Sequence, residues 1–333
     1  MKFTSYFSVI AGAVALSTIS PVGISAAFAA PVVFEIAFNQ PETHPQFKAL
    51  QMFAEGLKNR TNGEYSAEVF PNELLGAQKE TVEMTQTGTV AMSVAAASLL
   101  ESWNPDFSVF NLPYLFNSIE EQKDVLNNPE IVGDLYNSVT DQSVIVLGSF
   151  TAGARSVYLK DRFVKTPADL AGKKIRVMQS DTNVQMMKHM GGVGIAMGQG
   201  EVYTAIQTGV LDGGENNEIV YSSLKHAEVA PYFSNTRHLM IPDYLVMNVD
   251  LYKELPDGIK TILKEELAKA FAFEFDAFAA DAAKARADAE KAGAKFSDDV
   301  DMEAFRAAVK PLVDSKLTND VTKSIYQKIE ALR

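Results

Sequence analysis

Apolar positions along this chain recur with two periods. Residues 32–38 are β-rich, and after Pro45 the residues Phe47, Leu50, Phe53, Ala54 and Leu57 return at helical spacing, which predicts a strand, a turn and a helix. The same alternation predicts a short strand at 67–70, a helix near 79–86, a strand at 90–94 and an apolar strand at 143–150. A second series predicts strands near 155–159 and 174–178, then helices near 182–190 and 201–208. Alternation of this kind implies an α/β fold with mostly parallel sheets covered by helices.

An apolar strand is expected over residues 238–247, and beyond it Pro256 and Asp257 stand where the first turn of a helix would be. No Gly or Pro interrupts the chain between Gly258 and Gly293, so one helix is predicted over 257–292, about 54 Å long. That exceeds the diameter of one small lobe, so the helix must lie across two. Phe271, Phe273, Phe275 and Phe278 lead into an Ala-rich stretch whose heptad pattern is poor, which favours packing over a coiled coil.

The first residues read as an address. Lys2 precedes an apolar stretch from Val9 to Ile19 that is too short to span a bilayer, then Ser20 and Pro21 break it and Ala27-Phe28-Ala29 offers a cleavage point. The expectation is a signal peptide over 1–29, a mature chain starting at Ala30 or Pro31, periplasmic localisation and no membrane-spanning segment after cleavage.

A length of 333 residues, 47% hydrophobic and 22% charged, suits a soluble protein of two lobes. The expected division is 30–152 plus 241–281 for lobe I and 153–240 plus 282–333 for lobe II. A formal charge of −12, about −13 without the leader, argues against nucleic acid as a partner. The absence of cysteine excludes disulfides, thiolate chemistry and lipoprotein attachment. Four histidines at unsuitable spacing offer no zinc motif, and no P-loop occurs, so neither metal nor cofactor is expected.

Three runs then carry a resemblance: Gly172-Lys173-Lys174-Ile175-Arg176-Val177, the stretch Gly200-Glu201-Val202-Tyr203-Thr204-Ala205-Ile206-Gln207-Thr208-Gly209-Val210-Leu211-Asp212-Gly213, and Glu215-Asn216. With Leu75-Gly76, Asn111-Leu112-Pro113-Tyr114-Leu115-Phe116 and Gly153-Ala154-Arg155, the chain resembles the DctP-type substrate-binding subunits of tripartite ATP-independent periplasmic (TRAP) transporters over nearly its whole mature length. The resemblance implies a two-lobed periplasmic binding protein fold with a cleft between lobes and one helix spanning both. It also implies no enzymatic activity, and delivery of an acidic metabolite to a membrane permease.

By that resemblance Arg176 is the arginine that receives the ligand carboxylate, Arg155 a second cleft arginine and Asn216 an asparagine bonding the same carboxylate. A guanidinium suits the task because its planar fork donates two parallel hydrogen bonds and stays protonated. Ala95-Ala96-Ala97-Ser98 lacks the acidic residue of sialic-acid binders, and Asn217 and Glu218 stand where many members have Pro. Gly153-Ala154-Arg155-Ser156 with Asn216-Asn217 is more similar to members that bind sugar acids, hexuronates such as D-glucuronate or D-galacturonate, than to those for short dicarboxylates. For the polyol end, Asn39, His44, Gln179 and Glu218 offer donors and acceptors, Asn39 and His44 because they follow the end of the first strand, where α/β folds bind ligands. The alternatives are a four-carbon dicarboxylate and an enzyme acting on such acids, although no nucleophile motif such as G-x-S-x-G occurs.

Overall fold

The computed structural model describes residues 30–333. The signal peptide expected over 1–29 lies outside them. Eleven strands are described: β1 (Val32–Ala37), β2 (Tyr65–Phe70), β3 (Met92–Ala96), β4 (Val144–Thr151), β5 (Arg155–Leu159), β6 (Lys174–Val177), β7 (Val193–Ala196), β8 (Gly213–Asn216), β9 (Tyr232–Leu239), β10 (Pro242–Asn248) and β11 (Lys295–Ser297). They form two sheets, ordered β2-β1-β3-β10-β4 and β11-β9-β5-β8-β6-β7, the cores of a two-lobed α/β protein.

The first βα unit shows how the pattern becomes packing. Phe34 and Ile36 of β1, with Phe38 just past its end, alternate onto one face and meet Phe47, Leu50, Phe53 and Leu57 of the helix Pro45–Arg60, all buried in one cluster. Pairing is mixed rather than mostly parallel: β1 runs parallel to β2 and β3, but β10 is antiparallel to both β3 and β4. In the second sheet β5 is antiparallel to β8 and β9, whereas β6 is parallel to β7 and β8.

The single strand expected over 238–247 is two strands in different sheets, β9 ending at Leu239 and β10 starting at Pro242. Both halves are buried, so hydropathy runs through the break without a sign of it. The chain leaves the first sheet after Thr151 and re-enters it at Pro242. The two crossings lie side by side, joined by the Ala152 N–H donating to Ile241 O at 3.2 Å.

The long helix is observed as Asp257–Lys291. Leu263, Leu267, Ala270, Phe271, Glu274, Phe275 and Phe278 form one buried stripe on it, and Ala289 near its end joins a cluster beneath the second sheet. Gly153 is required where this helix passes the crossing: its φ is +62°, and a Cβ there would stand 2.2 Å from the Phe278 ring. Two C-terminal helices finish the chain. Met302–Lys316 places Phe305, Val309 and Leu312 with the second sheet's cluster, and Asp320–Glu330 carries Ile325 and Ile329 into the first sheet's.

Candidate functional site

A cleft between the sheets brings together Asn39, Gln40, His44, Glu73 and Asp243 from the first and Arg155, Arg176, Gln179, Gln199 and Asn216 from the second. Six of the seven sequence-predicted residues therefore share one cavity. Glu218 does not line it: this residue opens the short helix Glu218–Ser223.

Arg176 sits on β6, paired with Gly214 of β8 and Ile195 of β7, and is buried. Its Nε donates to Met197 O at 2.9 Å. Among the described residues it makes no ion pair, so the terminal nitrogens of the fork are left for another acceptor. Burial lowers its pKa, with Glu215 opposing; an arginine is far enough above neutrality to remain a cation.

Arg155 differs. Its Nε donates to Glu215 Oε2 at 2.6 Å, Nη2 to Glu215 Oε1 and to Glu215 O at 2.8 Å, and Nη1 to Asn216 Oδ1 at 2.8 Å. Four of its five donors are thus used within the protein. Burial pushes the Glu215 carboxyl up, but Arg155, with His238 Nε2 at 3.6 Å, holds it down at about 2, so the pair is a neutralised internal unit. The expected second ligand arginine is in the cleft wall, and its charge is already balanced.

That pair positions Asn216. The Asn216 Oδ1 accepts from Arg155 Nη1 and from Asn217 N at 2.9 Å, which turns its amide nitrogen, unbonded among the described residues, toward an incoming acceptor. Asn217 caps the helix Glu218–Ser223 by accepting from Val220 N at 2.9 Å and donates to Ala152 O at 2.7 Å, fastening that helix to the crossing.

His44 is a buried helix cap. Its Nδ1 accepts from Gln46 N at 3.3 Å at the start of Pro45–Arg60, so the neutral ring carries its proton on Nε2 and is a donor there. Burial, with Lys48 adding, lowers its pKa to about 3, which keeps it neutral. Asn39 holds a sequestered Oδ1 with no protein partner, and Gln179 stands exposed at the rim. Gln40 and Gln199 close one side of the cleft with reciprocal amide bonds of 3.3 and 2.9 Å.

Two acids were not anticipated. Asp243 is the second residue of β10 and the one charged residue of that strand, a sequence signal in itself; its Oδ2 accepts from Gln46 Nε2 at 2.9 Å. Burial raises its pKa to about 6, against the Gln46 hydrogen bond and the Arg155 charge. Glu73 follows Asn72 in a turn where both residues are left-handed, with φ of +56° and +57°. Burial raises the Glu73 pKa too, opposed by Arg176 and by the Gly200 N–H donating to it.

The arrangement offers one unpaired cation in a buried cleft, an adjacent amide donor, and a wall of neutral and acidic hydrogen-bonding groups. Such a set fits an organic anion bearing hydroxyls.

The sequence matches the family described as bacterial extracellular solute-binding protein, family 7, over residues 36–320. An uncharacterised protein of Salmonella typhimurium is 35% identical, spanning 87% of this chain and 89% of its own. A TRAP periplasmic solute binding protein of Anaerococcus prevotii, solved with bound D-glucuronate, superposes with a TM-score of 0.87 at 36% identity, covering 90% of this chain and 97% of its own. One of Xanthobacter autotrophicus with bound β-D-galacturonate gives 0.86 at 31% identity, covering 90% and 99%.

Proposed function

The chain belongs to the bacterial extracellular solute-binding proteins of family 7, the binding subunits of TRAP transporters, and on that premise we propose that it captures a hexuronate, D-glucuronate or D-galacturonate, and delivers it to a TRAP membrane permease. The carrying observation is Arg176, a buried arginine in the cleft wall with no protein carboxylate on its fork, beside the free amide of Asn216. Neighbours of the same fold at 36% and 31% identity hold these two sugar acids, which supports the ligand class. Arg176 and Asn216 would take the carboxylate, and Asn39, His44 and Gln179 the hydroxyls.

A binding protein releases its ligand unchanged. Incubation with uronates should therefore raise the melting temperature and leave the sugar intact. A ligand present at a hundred times its Kd stabilises the native state by about 2.7 kcal/mol, a shift readily resolved in a screen of organic acids. Stabilisation by succinate or malate and not by uronates would overturn the sugar-acid assignment, and product formation would overturn the binding role. Export by a cleaved leader belongs to the same reading, and mass spectrometry of the periplasmic protein should find a chain starting at Ala30 or Pro31.

A further inference from the structure

The polar groups of the cleft divide by charge in a way that the carboxylate site does not use. Among the described residues that line it, the only cationic side chains are Arg155 and Arg176. Arg155 is neutralised by Glu215, and His44 is held neutral by burial. One cation is therefore available to a ligand. Against it the cleft presents two carboxylates, Asp243, whose side chain is bonded by Gln46, and Glu73, whose backbone is pinned.

Asp243 is held by a side chain that is itself fixed. Gln46 Nε2 donates to Asp243 Oδ2 and also to Thr151 O, each at 2.9 Å, while Asp243 Oδ1 makes no bond among the described residues. Glu73 is held by its backbone. The Asn72 N–H donates to Gln40 O at 3.0 Å and the Glu73 N–H to Phe38 O at 3.2 Å, pinning two consecutive left-handed residues that carry no glycine to relieve them. Strain of this kind persists only where the surroundings enforce it, and here it delivers a carboxylate into the cleft.

A carboxylate accepts strong hydrogen bonds from hydroxyls and repels another carboxylate. We propose that Asp243 and Glu73 are specificity-determining residues, which make the cleft accept a polyhydroxy monocarboxylate and reject a dicarboxylate of the same carbon skeleton. The inference rests on reading the cleft as a uronate site and names what enforces that choice: a second ligand carboxylate finds no free cation and two fixed anions.

The test compares D-glucuronate with D-glucarate, its six-carbon dicarboxylate counterpart, by titration calorimetry at pH 7.5 on the mature protein and on Asp243→Asn and Glu73→Gln. Asn at 243 retains an acceptor for Gln46, and Glu73 lies on a partly exposed turn, so that at least one variant folds even if the buried change is not tolerated. The expected result is a preference for glucuronate of at least 100-fold in the wild type, falling at least tenfold in each variant through tighter glucarate binding. Equal affinities in the wild type, or an unchanged ratio in both variants, would overturn the proposal. If the wild type binds no uronate, the proposed function fails; the ratio is then read on D-gluconate against D-glucarate, where the same collapse supports the role of the two acids. Binding of none of these acids overturns both.

Discussion

Two arginines of one cleft have opposite tasks, and substitution should separate them. Arg176→Ala removes the partner of the ligand carboxylate and should weaken uronate binding by about 30-fold or more, the lower end of the roughly 2–5 kcal/mol that a desolvated charge pair costs when truncated. Arg176→Lys should fail nearly as badly, because an ammonium cannot make the two parallel bonds of the fork. Both variants should melt close to the wild type without ligand, since Arg176 bonds only Met197 O. Arg155→Ala instead strands Glu215, which is fully buried, and should lower stability by about 3–5 kcal/mol before any ligand is added. Calorimetric binding and urea unfolding on the same three proteins check the contrast. Equal loss of fold in both alanine variants would remove the distinction.

At the scale of elements, the long helix Asp257–Lys291 acts on the crossing through Phe278 and Glu274. Gly153→Ala places a methyl against the Phe278 ring at a left-handed position, so a loss of at least about 1 kcal/mol is expected from the backbone alone, read from the urea midpoint. Glu274 is fully buried, with one oxygen accepting from Thr151 N at 3.0 Å and the other unpartnered. Burial raises its pKa well above 4.5, against the Thr151 bond and with Asp243 adding. The folded state therefore holds this proton more tightly than the unfolded chain. Its stabilisation is fully present below about pH 4.5 and is lost as pH rises toward the folded value. Glu274→Gln keeps the acceptor and removes the titration, so the melting temperature of the variant relative to wild type should climb from pH 5 to pH 8. His44 and His226, both lowered to about 3 mainly by burial, have the opposite slope and lose stability as pH falls below about 6.5. They are common to both proteins and cancel in the difference, so a flat difference would show that Glu274 does not titrate in this range.

For the whole molecule, the site residues stand on or beside two sheets joined by crossings after Thr151 and before Pro242. Contacts join the two lobes: the Gln40–Gln199 amide pair at the cleft, and Glu101, whose Oε1 accepts from Ser180 Oγ at 2.6 Å. A ligand that touches both walls binds the closed form better and shifts the equilibrium toward it by that difference in affinity. Saturating uronate should shorten the distance between spin labels placed on the two lobes, with a smaller radius of gyration in solution scattering. Unchanged values at saturation would refute closure.

Local pattern determined much of this protein. The βα alternation and the helix across both lobes were legible, because periodicity and a helix without breakers report local burial, and the contiguous motifs around β6 and β8 pointed by resemblance to Arg176 and Asn216, which line one cavity. Periodicity reports that a residue is buried and not what it is buried against. For that reason the sequence did not show that the apolar run ending at Met247 divides between two sheets, or that the last helix returns Ile325 and Ile329 to the first. Nor did it show that Arg155 is neutralised, because its partner lies 60 residues away and is brought alongside only by the antiparallel register of β5 on β8, where Val157 faces Glu215. Asp243 enters the cleft from a strand that starts where the chain passes from one sheet to the other, Glu73 from a strained turn, and both are set by long-range contacts that only the folded chain makes.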